Sequence, residues 1–111
     1  MADSERTLQV MTADGWRLDA VVLSPLTAPR GVAVLGHAMM VDRRSMDRPA
    51  GAGFASTLRA AGWIVLLADL RGHGASGPTP REGGRWSYDD LVRFDLPALL
   101  CAAREVGPGL P

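Results

Sequence analysis

Residues 63–77 read WIVLLADLRGHGASG, and this stretch decides the fold class. Its first six residues are all apolar and do not alternate with polar ones. Loss of alternation is typical of a strand buried on both faces, as in a parallel sheet covered by helices. The strand predicted over 63–68 ends at Asp69, and the glycine-rich segment 71–84 is predicted to be a loop.

A second continuous apolar run lies upstream at 31–36 (GVAVLG) and predicts another buried strand. Between the two runs, residues 51–61 (GAGFASTLRAA) carry apolar residues at i, i+4 and i+7, which share one face of a helix. Gly62 then suits the position that ends a helix. Strand, helix and strand in this order predict a βαβ unit long enough for a right-handed parallel crossover.

The N-terminal segment predicts a β-hairpin. Apolar residues alternate with polar ones over 7–12 and again over 16–22, which predicts two strands with one buried face each. Asp14-Gly15 lies between these runs, and this dipeptide favours a tight turn because glycine accepts a positive φ. Pro25 is expected to end the hairpin.

Residues 87–106 (SYDDLVRFDLPALLCAAREV) predict a second helix. Ser87 and Asp90 have the spacing of an N-terminal capping box. Pro97 is expected to kink or break this helix, because proline has no N–H and clashes with the preceding turn. The predicted fold is therefore α/β: a β-hairpin followed by a βαβα unit. Its sheet is incomplete, because the last helix has no strand to return to.

Composition limits the class of protein. The 111 residues suffice for one small domain, 47% of them are hydrophobic, and the formal net charge is zero. We therefore expect no nucleic-acid binding, no membrane span and no signal peptide. Gly72-x-Gly74 lacks the third glycine of a dinucleotide loop, so no cofactor is predicted. Cys101 is the only cysteine. It is predicted to pack as a small hydrophobe, and the cytoplasm is the expected location.

Three motifs resemble the α/β-hydrolase superfamily, and most nearly its serine aminopeptidase and monoglyceride-lipase-like branch. VAVLGHAMM at 32–40 resembles the strand and His-Gly segment that form half of the oxyanion hole. Residues 63–77 resemble the next strand and its D-x-R-G-x-G-x-S turn, which is the most specific of the three. WSYDDLVRFDLPALLCAA at 86–103 resembles the following helix. The resemblance implies that residues 1–111 are the N-terminal portion of a single α/β-hydrolase domain.

This resemblance implies a serine hydrolase that cleaves ester or amide bonds of a small acyl substrate. In this fold the nucleophile lies in a G-x-S-x-G turn after the next strand, and the acid and the histidine follow it. No serine in 1–111 has that context. We therefore assign no catalytic residue to this chain, expect the sequence to stop before the nucleophile, and predict no activity for the chain alone.

A non-catalytic fragment is the alternative prediction. Such a fragment would associate with itself or with a complementary C-terminal half. We expect the unpaired edge of the strand 63–68 and the exposed apolar faces of the helices to drive that association.

The resemblance implies that this chain contains one donor of the oxyanion hole. Aligning His37-Ala38 with the family's His-Gly makes the backbone N–H of Met39 the donor, with Ala38 and Met40 as neighbouring candidates. Ala38 departs from the family's glycine. If that position needs a positive φ, alanine is disfavoured there by about 1 kcal/mol or more.

The other polar residues of these motifs are predicted to be structural. His37 and His73 could act as bases, or as metal ligands together with Asp69. Their spacing matches no standard ligand pattern, so we predict no metal site and expect the two histidines to brace loops. Asp69 and Arg71 are predicted to form an internal polar brace for the turn. The charged residues of 42–48 are predicted to be a solvated loop face that borders the pocket.

Overall fold

The structure is a computed structural model that describes residues 5–37, 42–47, 52–78 and 80–111. Its four strands form one sheet in the order β1-β2-β4-β3. The strands are β1 (Glu5–Met11), β2 (Arg17–Leu23), β3 (Val32–Leu35) and β4 (Ile64–Ala68). The α-helices are α1 (Phe54–Ala60), α2 (Tyr88–Asp90) and α3 (Leu96–Val106), with a π-helical turn at Leu91–Asp95 and 3-10 turns at Arg43–Asp47 and Pro80–Glu82.

The predicted hairpin and βαβ unit are both confirmed. β1 pairs antiparallel with β2, β2 antiparallel with β4, and β3 parallel with β4. Between β1 and β2, the Thr12 N–H donates to the Trp16 carbonyl at 2.9 Å, which leaves a three-residue loop. Gly15 closes this loop at a φ of 91°, which glycine adopts more readily than any other residue.

The prediction that the strand 63–68 has an unpaired edge is wrong. β4 lies between β2 and β3, and all five of its residues are buried. The physical reason is the hydrophobic effect. A strand made only of apolar residues removes more apolar surface from water at the centre of the sheet than at its edge. β3 takes the edge instead, and its four residues are only half-buried. The first N–H of that edge, at Val32, donates to the Pro111 carbonyl at 2.9 Å.

The sheet is covered on both faces. One face packs against α3 in a hydrophobic cluster that includes Val22, Leu66 and Leu99. The other face packs against α1, with Val65 and Ala55 fully buried. The alternation predicted for β2 is confirmed, since its inward-facing residues are buried: Leu18, Ala20 and Val22.

The disturbance predicted at Pro97 agrees with the structure, and one prediction about the last helix needs correction. A π-helical turn at Leu91–Asp95 separates α2 from α3, and Pro97 lies in the first turn of α3. Cys101 is exposed rather than packed, because α3 turns Leu99 and Ala102 towards the sheet instead. The capping box of Ser87 and Asp90, by contrast, is confirmed.

No helix in the described part of the chain is long and apolar enough to cross a membrane.

Candidate functional site

The loops after β3 and β4 meet at one edge of the sheet, because the two strands are parallel. His37 follows β3, and its Nε2 accepts a hydrogen bond from the Leu70 N–H at 2.9 Å. The ring of His73 lies 4.9 Å from the ring of His37, between centroids, and its Nδ1 lies 2.9 Å from the Arg71 carbonyl. Both histidines therefore contact the loop backbone.

Asp69 lies at the centre of this edge and is only 2% exposed. Its carboxylate accepts hydrogen bonds from the Arg43 N–H at 2.7 Å and from the Ala75 N–H at 3.0 Å, and it forms an ion pair with the Arg43 guanidinium. Arg43 also pairs with Asp19 of β2 at 2.9 Å. A buried carboxylate needs such partners, because an unpaired charge is costly to bury.

The prediction that 42–48 is a solvated face is wrong for Arg43 and Asp47, whereas the Arg44 side chain is 77% exposed. Arg43 points inwards to Asp69. Asp47 accepts hydrogen bonds from the Gly53 and Ser56 N–H groups, both at 3.0 Å, at the start of α1. Arg48 lies outside the described residues.

Arg71 forms a second buried cluster. The residue is 2% exposed, and its Nε donates to Asp95 at 2.8 Å. Its two terminal nitrogens donate to the two oxygens of Asp14, both at 2.8 Å, and the guanidinium lies 4.9 Å from the ring of Trp16. The predicted brace of Asp69 with Arg71 is thus corrected. Each residue braces the turn, but through different partners.

Electrostatics follow from these contacts. Hydrogen bonds from the Arg71 guanidinium lower the pKa of the Asp14 carboxyl from 3.8 to about 2. The same contact, opposed by burial and reinforced by Asp95, raises the pKa of Arg71. On the neighbouring loop, hydrogen bonds from Arg44 lower the pKa of Asp42 to about 2. These groups therefore stay charged at neutral pH.

The glycine turn after β4 has little spare room. Gly74 adopts a φ of +48°, and a Cβ there would lie 2.6 Å from the Asp69 carboxylate. Ser76 is fully buried, and its hydroxyl donates to the Asp69 carbonyl at 2.6 Å and accepts from the Asp19 N–H at 2.7 Å. The serine nearest to the site therefore holds the turn together and is not presented as a nucleophile.

The predicted oxyanion donor cannot be placed. Met39 and its neighbours Ala38 and Met40 lie outside the described residues. The described residues on either side of them, His37 and Arg43, are the ones that contact the loop after β4. Among the residues that the structure describes, no three His, Cys, Asp or Glu side chains form a group that could hold a metal ion.

Several contact partners in this site do not follow from the sequence patterns. Asp14 fits the pattern of a turn residue, and Asp95 that of a helix motif. Asp19 lies in an alternating strand with no motif to mark it. A signal was present for Asp95, because a charged residue followed by Leu96 and Pro97 interrupts an otherwise apolar helix face. The ion pairs themselves join residues far apart in the chain, such as Arg71 and Asp14.

Known proteins resemble this chain in structure only. No family model and no curated protein matches its sequence. A thermostable carboxyl esterase from Bacillus coagulans, solved with glycerol, matches with a TM-score of 0.76 and 22% identity, over 99% of this chain and 35% of that protein. The chain has the fold of the N-terminal portion of an α/β-hydrolase.

Two further solved structures match in the same way. An esterase from Pyrococcus furiosus matches with a TM-score of 0.71 and 21% identity, over 94% of this chain and 38% of that one. An α/β serine hydrolase without a lid from Xanthomonas campestris matches with a TM-score of 0.63 and 21% identity, over 97% and 48%. The predicted α/β-hydrolase fold is thus confirmed, and the chain spans less than half the length of each of these three structures.

We predict that Arg71→Met lowers the free energy of unfolding by about 3–5 kcal/mol, because Asp95 would remain buried without its partner. Adding Asp95→Asn should recover part of this loss. Arg93→Met is the matched control, since the Arg93 side chain is 67% exposed and pairs with the exposed Asp89. It should cost less than about 1 kcal/mol. Urea unfolding measures all three, and equal losses at Arg71 and Arg93 would contradict the prediction.

Stability is also expected to fall in acid. The pKa of Asp14 is lowered from 3.8 to about 2 by folding, so its ionised form stabilises the folded chain above about pH 4. That contribution disappears as the pH falls towards about 2. In Asp14→Asn the decline over this range should be shallower by at most one proton, about 1.4 kcal/mol per pH unit. Urea unfolding at several pH values tests this, and parallel curves for the two proteins would refute it.

Proposed function

We propose that this chain is the N-terminal part of a serine hydrolase that acts on small esters. The observation that carries the proposal is the structural match to two esterases over 94% and 99% of this chain. The nucleophilic serine, the acid and the catalytic histidine would come from sequence outside residues 1–111. We further propose that the protein is cytoplasmic and that it belongs to the monoglyceride-lipase-like branch.

The chain would contribute a scaffold and one backbone donor. Acyl transfer builds negative charge on a carbonyl oxygen, and backbone N–H groups aimed at that oxygen stabilise it. The Met39 N–H, which follows β3 in the sequence, would be one such donor, with Ala38 before it. His37 is not the proposed base, since its Nε2 already accepts the Leu70 N–H.

A half-domain that pairs with a complementary chain is the second candidate. Two observations favour it. β3 is an edge strand, and the backbone groups on such an edge can pair with a strand of another chain. The helical segment 88–106 also exposes four apolar side chains at intervals of four residues: Tyr88, Val92, Leu96 and Leu100. An apolar stripe of this kind favours burial against another helix.

A serine-directed label tests the proposed function. Residues 1–111 alone should not react with a fluorophosphonate probe and should give no burst with a nitrophenyl ester, because they contain no G-x-S-x-G. The longer product of a reading frame that adds this motif, or the two halves expressed together, should be labelled once per nucleophile. Mass spectrometry locates the label. Stoichiometric labelling of residues 1–111, or an inert longer product, would contradict the proposal.

In the longer product, Met39→Pro should lower kcat by roughly 10²–10³-fold, because proline removes the proposed oxyanion donor. Met39→Leu keeps the N–H and is the matched control, expected to remain within a few-fold of the wild type. Steady-state kinetics with a nitrophenyl ester measures both. An equal loss in the two variants would assign the effect to the side chain and would refute the donor role.

A further inference from the structure

β1 is the edge strand on the side of the sheet opposite β3, and no strand in the described part of the chain lies beyond it. The Thr12 N–H donates to the Trp16 carbonyl, so the even-numbered residues of β1 direct their backbone groups towards β2. Thr7, Gln9 and Met11 therefore direct their N–H and C=O groups away from the sheet. Backbone groups in this arrangement can pair with a further strand.

The outer edge of β1 lacks the features that usually prevent such pairing. Charged side chains, prolines and bulges protect the edge strands of most proteins. Residues 7–13 (TLQVMTA) contain neither a charged residue nor a proline. The pairing with β2 continues without interruption from Glu5 to Met11, so no bulge turns the edge away. The edge is therefore open to a partner strand.

A groove of about 450 Å³ runs along this edge, between β1 and the helical segment 88–106. Leu8 and Val10 line it from the strand. Phe94, Ala98 and Cys101 line it from the helical segment. A strand placed beside β1 would turn every second side chain towards this apolar surface. The edge therefore offers backbone pairing and apolar burial together.

The sequence of β1 suits pairing with a second copy of itself. An antiparallel pair centred on Leu8 uses all seven residues of the strand and brings Leu8 opposite Leu8. In that register Thr7 lies opposite Gln9 of the second copy, and Arg6 lies opposite Val10. No two like charges face each other, and the outward backbone groups of Thr7 and Gln9 meet as a hydrogen-bonded pair. A second β1 would also add its own Leu8 to the apolar surface of the groove.

The charges at the two ends of the groove also favour a second copy. Asp14, just after β1, and Asp95, just before α3, both bind Arg71, so α3 runs antiparallel to β1. Arg93 therefore lies at one end of the groove and Glu105 at the other. The two-fold axis of an antiparallel β1 pair places the Arg93 end of each copy beside the Glu105 end of the other. Opposite charges then meet at both ends.

We propose that two copies of this chain pair through β1 across a two-fold axis and join their four-stranded sheets into one continuous sheet. Two strands of this length bury less surface than a standard interface, so the dimer is expected to be weak, with a Kd above about 1 µM. The proposal is independent of the hydrolase function, because it needs only β1 and the groove beside it.

Sedimentation equilibrium and amide hydrogen exchange on the 111-residue chain test this dimer, at concentrations from about 10 µM to about 1 mM. Exchange at Thr7, Gln9 and Met11 should slow as the concentration rises, because the second copy binds these N–H groups. Leu8 and Val10 are the internal controls, since their N–H groups point to β2 and should exchange at a constant rate. A monomer throughout this range, or exchange at Gln9 that does not depend on concentration, would overturn the proposal.

Paired charge variants test the register. Thr7→Lys with Gln9→Lys places like charges opposite each other twice and should raise the dimer Kd roughly 10-fold. Thr7→Lys with Gln9→Glu places opposite charges there and should keep the Kd within a few-fold of the wild type. Both side chains are exposed, so both double variants should keep the fold, which circular dichroism checks. An equal rise of Kd in the two would contradict the paired register and overturn the proposal.

Gln9→Pro removes an outward N–H and leaves the pairing with β2 intact, as proline does on edge strands. It should raise the Kd by about 10-fold, because the hydrogen bond is lost in both copies. Gln9→Thr keeps the N–H and is the matched control. Leu96→Glu tests association through the exposed apolar stripe of the helical segment instead. Dissociation by Leu96→Glu, with Gln9→Pro still dimeric, would assign the interface to the helices and overturn the proposal.

Discussion

The guanidinium of Arg71 is buried, and it can be buried only when its charged partners are in place. Its partners Asp14 and Asp95 come from the hairpin turn and from the π-helical turn before α3. Removing either carboxylate leaves charge in a water-poor place, which costs more than the pair contributes when intact. The hairpin, the glycine turn and the last helix therefore form as one cooperative unit, although they are far apart in sequence.

The same constraint operates at the carboxyl ends of the parallel strands. Asp69 is buried at the end of β4, and Arg43 is drawn inwards to it from a loop rich in charged residues. The result is an edge at which ion pairs and backbone hydrogen bonds join the loops to the strands.

Much of this fold follows from local pattern. Alternation located β1 and β2, and continuous apolar runs located β3 and β4. The pattern could not predict which charged residues form ion pairs. Arg43 has Asp42 and Asp47 near it in the sequence, but in the folded chain it pairs with Asp19 and Asp69, which are 24 and 26 residues away.

The error at the sheet edge has a physical cause. An apolar run shows that a strand is buried but not which strands flank it, so an edge was expected for β4 that β3 occupies. In the candidate site, the motifs indicated His37, Asp69, Arg71 and His73, but not the residues that these side chains contact. Met39 rests on the resemblance alone.

The hydrogen bond between the Val32 N–H and the Pro111 carbonyl has a consequence for aggregation. It joins the edge strand β3 to the segment that follows α3 and occupies the first backbone donor of that edge. Free backbone groups on an edge strand are where the sheets of two molecules pair. The chain therefore shields part of its own exposed edge.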